Sequence, residues 1–435
     1  MLAVRIPFSF DIGRTRVRVP RNLMVASLAF FGAATIGAQT QPPPRVTLEQ
    51  AIEFAINHNH ALLAARTQIP QSQAQETTAA IRPNPTLTLD TLFIPFSSAT
   101  ADNLNNITEY DAALGYTFER GGKRKRRIEA ARDVTGVTRF QVADTERGIV
   151  FNTAQQYVDA LLAKSNVDLA TQDLSSFQQT VNIGEEQYKA GAISEGDLLK
   201  IKLQLLQFQT DLSTAQLTLL QSLAALRQLM GYESVPADYE LADDLSYTPV
   251  APGLEDLQAR ALNTRPDLLA AQKGVTAAHS QYALARANGK RDLNTTFTYS
   301  HVAGLNTGGL TFNIELPFFD RNQGEVARTR FAITQADETA HEASETVMTD
   351  IRNAYESLKS NEKIVQLYQG GYLKQAQDSR DISAYAYQRG AASLLDFLDA
   401  ERSYRATELA YRQGLANYMV ALEQLRQAVG TRNLQ

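Results

Sequence analysis

The sequence predicts a mostly α-helical chain with a smaller transmembrane β part, and three observations carry that expectation. One structural unit is written twice. Each copy holds helical stretches far longer than a compact domain needs. Each copy also holds two segments of strand period, nine to eleven residues long, the length at which a tilted strand crosses a bilayer.

The duplication is read directly. Tyr188-Lys-Ala-Gly191-Ala-Ile-Ser194-Glu-Gly-Asp197 recurs 199 residues later as Tyr387-Gln-Arg-Gly390-Ala-Ala-Ser393-Leu-Leu-Asp396. The register holds to Leu226-Arg-Gln-Leu-Met-Gly231 and Leu425-Arg-Gln-Ala-Val-Gly430. Near the start of each copy, Leu62-Leu-Ala-Ala65 answers Leu268-Leu-Ala-Ala271. Two units, 46–231 and 254–430, joined by a connector at 232–253, account for these matches.

Ahead of the first unit, residues 1–38 read as a secretory signal: four arginines from Arg14 to Arg21, then an apolar run from Leu23 to Ala38. Sixteen residues are too few for a spanning helix, which needs about 20. Removing residues 1–38 takes five arginines and one aspartate from a net charge of −5 and leaves −9, which argues against a nucleic-acid partner. The absence of cysteine excludes disulfides, thiolate chemistry and lipid attachment through a cysteine.

Within the first copy, Thr47 to Ala80 is helical with an interruption near Asn57-His-Asn-His60, and Arg265-Pro266 marks the same break in the second. Strand-period segments follow. Tyr110, Ala112, Leu114, Tyr116 and Phe118 alternate with Asp111, Ala113, Gly115, Thr117 and Glu119. Leu310 to Phe319 sets Leu310, Phe312, Ile314, Leu316 and Phe318 against Thr311, Asn313 and Glu315. Leu293 to Ser300 alternates in the same way, whereas Thr86 to Phe96 is less regular because Leu92 and Ile94 intrude on the polar side. Leu114, Tyr116, Phe312 and Ile314 are the expected lipid-facing residues.

Long helices are expected over Ile128–Ala190 and Ser194–Met230. In the latter, Leu198, Ile201, Leu205, Phe208, Leu212, Ala215, Leu219, Ser222, Leu226 and Leu229 are spaced by alternating threes and fours, a coiled-coil seam. A second stripe, Leu199, Leu203, Leu206, Leu217 and Leu220, implies neighbours on two sides.

Four strands cannot close in a membrane, where no strand edge may face hydrocarbon. Two chains would give a barrel filled by its own side chains, and three a 12-stranded barrel with a lumen. The strand count therefore favours a trimer. A soluble exported coiled-coil scaffold is the alternative, and it leaves the alternating strands unexplained.

Arg82-Pro-Asn-Pro85, Gly121-Gly-Lys-Arg124 and Leu316-Pro-Phe-Phe-Asp-Arg-Asn-Gln-Gly324, in this order and on this duplicated frame, resemble the TolC-like outer-membrane efflux family over residues 46–430, its cobalt–zinc–cadmium-type branch in particular. The resemblance implies long helices forming an α-barrel, continuous with a 12-stranded trimeric β-barrel. It also implies a place in the cell outer membrane with a long periplasmic portion, and a non-enzymatic role as efflux duct. Its implied partners are further copies of itself, outer-membrane lipid, a periplasmic adaptor (a membrane fusion protein) and an inner-membrane pump. The same fold also serves type I protein secretion.

The turn at Gly191 and Gly390 carries the gate candidates. Ser194 with Asp197, and Ser393 with Asp396, have capping-box spacing, which by itself explains both aspartates. Asp399 lies one turn further on, beyond the reach of a cap, and its first-copy counterpart is Lys200. By resemblance, Tyr387, Asp396 and Asp399 match the family's gate tyrosine and aspartates, and Asp197 the first-copy aspartate. The family's gate arginine falls at Ala392; Arg389 is near but not equivalent. Lys123 to Arg127 is a basic run, either close to inner-leaflet phosphates or a solvated helix start. His58 and His60 fall on different helix faces with no third ligand nearby, so no metal or other cofactor is expected.

Overall fold

The computed structural model describes residues 43–94, 100–250 and 253–434. The expected signal at 1–38 lies outside them. Strand β1 (Arg45–Val46) leads into helices α1 (Leu48–His58), α2 (His60–Arg66) and α3 (Gln68–Ala80). Strand β2 (Thr86–Leu92), the short helix α4 (Ala101–Asn106) and strand β3 (Glu109–Phe118) follow, then the long helices α5 (Lys123–Lys189) and α6 (Glu195–Met230). The second copy repeats the plan. Strand β4 (Glu240–Leu241) precedes α7 (Leu254–Thr264), α8 (Pro266–Asn288), strands β5 (Leu293–Val302) and β6 (Leu305–Ile314), helix α9 (Gln323–Leu367), a π-helical turn (Tyr368–Tyr372), α10 (Leu373–Gln388) and α11 (Leu394–Val429).

Helix α5 contains no proline and runs for 67 residues, about 100 Å at ~1.5 Å per residue. It begins at Lys123 rather than Ile128, so the basic run forms its first turn. It packs against α3, α6, α8 and α11. Along α6 the heptad seam is turned inward, with Leu198, Ile201, Phe208 and Leu226 buried. The second stripe stays open: Leu199, Leu203, Leu206, Leu217 and Leu220 are each more than half exposed. A row of leucines left in water over about six helical turns is a surface shaped for another helix.

Both copies are locked at the same place by the same device. Asn59, between α1 and α2, accepts from the Leu62 amide and donates through Nδ2 to the Leu229 carbonyl at 2.9 Å. Arg265, between α7 and α8, donates to the Ala428 carbonyl at 3.4 Å, and to Asp267 and Asp350. Leu229 and Ala428 occupy equivalent positions. In each copy a polar side chain at the break satisfies a carbonyl that the last helical turn cannot pair internally. Gly231 and Gly430 then leave the helix with φ of 88° and 81°. A Cβ on Gly231 would lie 2.7 Å from the His58 carbonyl oxygen.

Several boundaries differ from the sequence reading. Strand β6 ends at Ile314 and begins at Leu305, because Pro317 has no amide to donate and the chain turns before it. Strand β2 ends at Leu92, and Phe93 has a φ of 56°, so Ile94 lies beyond the strand. The connector at 232–253 is pinned in place. β4 pairs in parallel with β1, buried Tyr239 donates to the Leu223 carbonyl at 2.7 Å, and Asp243 accepts from Tyr157 Oη at 2.7 Å. The α9–α10 path is broken by the π-helical turn, where Gly371 adopts φ 132°; no such break interrupts α5.

The clasp sets a stability order. Gly231→Ala meets both the left-handed backbone and the His58 carbonyl, and should lose ~3 kcal/mol or more. Gly191→Ala, with φ 71° and open space around it, should lose only about 1–2 kcal/mol. Denaturation midpoints of the two variants check the order.

Candidate functional site

The sheet has the order β2-β3-β5-β6, antiparallel throughout, and its register sorts residues onto two faces. Leu114 stands opposite Phe297, which stands opposite Leu310. Tyr116, Thr295 and Phe312 form the next row, and Phe118, Leu293 and Ile314 the last. The four residues read from the sequence as lipid-facing thus share one face. Tyr116 packs edge-on against Phe118 at 4.8 Å. On the other face, Thr117 stands beside Asn294 and Asn313, and Gly115 beside Thr296 and Thr311. Thr117 donates to Asn294 Oδ1 at 2.7 Å. Among the described residues, strands β2 and β6 each pair on one side only, and all ten residues of β6 are exposed.

At the opposite end of the long helices, the two hairpin tips share an apolar cluster. Phe177, Ile201 and Phe208 of the first copy meet Tyr387, Leu394 and Phe397 of the second. Phe397 stacks on Tyr387 at 5.4 Å and on Phe177 at 6.4 Å. Tyr387 is buried, and its hydroxyl has no hydrogen-bond partner among the described residues. Burial pushes its pKa up, and the negative charge of Asp197 adds to the shift.

The aspartates divide by environment. Asp396 completes a reciprocal capping box with Ser393, accepting from the Ser393 amide at 3.2 Å and from its hydroxyl at 2.7 Å. These bonds hold its carboxyl below the usual range. Asp197 is only half of such a box. Its amide donates to Ser194 Oγ, but its carboxylate accepts from the Ser194 hydroxyl at 2.9 Å and from Lys200 at 3.1 Å, not from the Ser194 amide. Its pKa is likewise lowered, by Ser194 first and Lys200 second. Asp399 takes no part in a cap. It projects into solvent, 3.1 Å from Arg402. Arg389 lies over the Tyr385 ring at 5.0 Å and makes no ion pair with any of these aspartates.

One feature of this region was missed in the sequence. Asp173 on α5 and Glu401 on α11 are buried side chains of the helical interior. Arg405 joins Asp173, at 3.3 Å, to Asp211 on α6, at 2.5 Å, and lies over the Phe208 ring. Arg380 on α10 faces the same group and covers Tyr404 at 4.2 Å. Burial raises the pKa of Asp173 against the opposing pull of Arg405, Arg380 and Arg412. Burial likewise raises that of Glu401, with Asp173 adding to the rise and Arg380 opposing it. The only sequence signal was charge interspersed along an otherwise apolar helical period.

His58 and His60 flank the capping Asn59, and both are exposed. Among the described residues no group of three or more His, Asp or Glu side chains could hold a metal ion. No described helix is long and apolar enough to cross a membrane.

A carboxyl whose folded pKa is raised contributes stability that is present below its unfolded pKa and lost as pH rises through the folded value. Glu401→Gln should therefore melt higher than the parent at pH 8, with the gap narrowing as pH falls and closed by about 4.5, the ordinary value for glutamate. Thermal melts across that range test the sign.

Comparison with known proteins gives this geometry its context. The profile of the family described as "Outer membrane efflux protein" matches residues 51–232 and 257–431. The cobalt-zinc-cadmium resistance protein CzcC of Cupriavidus metallidurans is 26% identical over 412 residues, covering 91% of this chain and 95% of that one. The probable outer membrane lipoprotein SilC of Salmonella typhimurium is 23% identical, covering 83% and 80%. Among solved structures, CusC superposes with a TM-score of 0.73 at 22% identity, covering 88% of this chain and 92% of CusC. The Campylobacter jejuni CmeC outer membrane channel gives 0.75 at 17%, covering 95% and 94%. With the family profile matched in both halves, on a frame of long helices carrying a four-stranded sheet, the chain belongs to the outer membrane efflux protein family.

Proposed function

We propose that this protein is a passive trimeric duct that carries small solutes, metal cations among them, across the periplasm and outer membrane, and that it catalyses no reaction. The observation that carries the reading is the sheet. It is a single layer, apolar on one face and polar on the other, with both outer edges unpaired. Three such sheets joined edge to edge close a 12-stranded barrel with its lipid face outward and a wet lumen within. The exposed leucine stripe of α6 supports packing of helices from neighbouring copies. The similarity to CzcC, a cobalt-zinc-cadmium resistance protein, and CusC, a cation efflux system protein, supports a cationic cargo.

In this reading the helical end docks a periplasmic adaptor, which joins the duct to an energised inner-membrane pump. The hairpin tips form the constriction. Asp399 supplies its charge, because it is exposed and uncommitted to a cap. Asp396 contributes second, and Asp197 and Tyr387 hold the tips in place. Three like charges crowded into a narrow, low-dielectric mouth raise the local cation concentration.

Because the chain contains no cysteine, an introduced thiol reports alone. In detergent-extracted trimers, Leu114→Cys and Phe312→Cys should react with membrane-soluble reagents only, while Thr117→Cys and Asn313→Cys should label from water. A monodisperse monomer that needs no detergent, or equal labelling at all four sites, would overturn the duct.

Asp399→Asn should reduce cation preference and polyvalent-cation block in single-channel recordings, with Asp197→Asn acting mainly on thermal stability. The reverse pattern would exchange the two roles.

A further inference from the structure

We propose that the junction between sheet and helices holds a binding site for an anionic glycerophospholipid, with its phosphodiester headgroup seated among arginines and its acyl chains lying along the apolar face of β6. The proposal rests on the membrane-spanning reading of the sheet.

The site is an open cleft of about 1260 Å³ below the end of the strands. Six cations line it: Arg120, Arg126, Arg286, Lys290, Arg291 and Arg321. They come from four separate segments of the chain: the β3–α5 turn, the first turn of α5, the end of α8 with the turn that follows it, and the β6–α9 loop. Glu315 is the one carboxylate in the lining, and Arg291 engages it at 3.2 Å. Arg120, Arg286 and Lys290 make no ion pair among the described residues, although Arg286 lies over the Tyr282 ring at 5.9 Å. Three cations with no counter-charge, converging on one cleft, leave a site for an anion.

The remaining lining identifies the anion as amphiphilic. Ile314, Leu316 and Phe318 form the side of the cleft nearest the sheet, and Ile314 ends the apolar face of β6. Charge and grease therefore meet in the order in which a phospholipid presents them. The depth agrees as well. Arg120 lies two residues beyond Phe118, and Arg291 two residues before Leu293, where the apolar rows stop. A soluble phosphate would have no use for the apolar wall.

The cleft is also built firmly. The β6–α9 loop has eight residues where the β3–α5 turn has four, and the extra length carries Leu316-Pro-Phe-Phe319. Asn322 Nδ2 ties this loop to the Ala285 carbonyl at 2.7 Å, and Arg321 Nε reaches the Pro317 carbonyl at 3.1 Å. Gly289 lets the Arg321 carbonyl approach to where a Cβ would sit 2.7 Å away. The N-termini of α5 and α9 flank the cleft without side-chain caps, so their free amides add positive potential.

The test is native mass spectrometry of the full-length trimer released from nanodiscs containing phosphatidylglycerol and phosphatidylcholine in equal amounts. The parent protein should retain phosphatidylglycerol preferentially, and inorganic phosphate should not displace it. Each cation near an anionic headgroup contributes about five-fold, so Arg120→Gln, Arg286→Gln and Lys290→Gln together should weaken retention on the order of a hundred-fold. The same charge loss outside the cleft, at Arg132, Arg139 and Arg330, should leave retention largely unchanged. Equal retention of both lipids by the parent, equal loss in the two triple variants, or displacement by inorganic phosphate alone would each overturn the site. A parent protein that enters no nanodisc would refute the membrane-spanning reading first, and this site with it.

Discussion

The unpaired edges of the sheet are the constraint on which the rest of this structure depends. An amide or carbonyl facing hydrocarbon without a partner costs several kcal/mol, and β2 and β6 each present a full row of them. The helices do not cover them, because they pack on one another rather than on the sheet. Only another strand edge can. The single-layered sheet, its two chemically distinct faces and its exposure on both sides follow from a sheet meant to be completed by copies of itself.

Duplication gives the chain two similar hairpins, and the differences between them sit where function is proposed. The clasp is shared, with Asn59 and Arg265 holding equivalent carbonyls. The tips diverge. The first copy pairs Asp197 with Lys200, and the second turns that lysine position into Asp399, paired with Arg402. A common scaffold supports a charge pattern that changes from one hairpin to the next. Arg405, bridging buried Asp173 and half-buried Asp211, then ties the two copies together near those tips.

Much of this was legible in the sequence because it rested on periodicity. The α6 seam, the two strand faces and the glycine turns all repeat at fixed intervals; burial follows the seam, cross-strand register follows the faces, and positive φ falls on the glycines. What was hidden depended on partners distant in sequence. Asp173 and Arg405 are 232 residues apart, and nothing local distinguishes them from surface charges. The Ser194–Asp197 box was half right, because Lys200 competes for the carboxylate that would otherwise reach the Ser194 amide. Strand ends moved for a local reason: Pro317 ends pairing that the hydrophobic alternation alone would have extended. The sequence marked 232–253 as a connector, but the bonds by which Tyr239 and Asp243 anchor it join residues distant in sequence that no composition reveals.

The π-helical turn at Tyr368–Tyr372 makes the two long hairpins mechanically unequal. Helix α5 is an unbroken rod, so a push at one end is delivered at the other with little bending. The path through α9 and α10 contains Gly370-Gly371, where the regular ladder of hydrogen bonds is interrupted and bending stiffness falls. Elastic strain on such a pair does not distribute evenly. It concentrates at the soft joint, so the segment beyond it swings while its partner stays straight, and each protomer combines a strut with a lever.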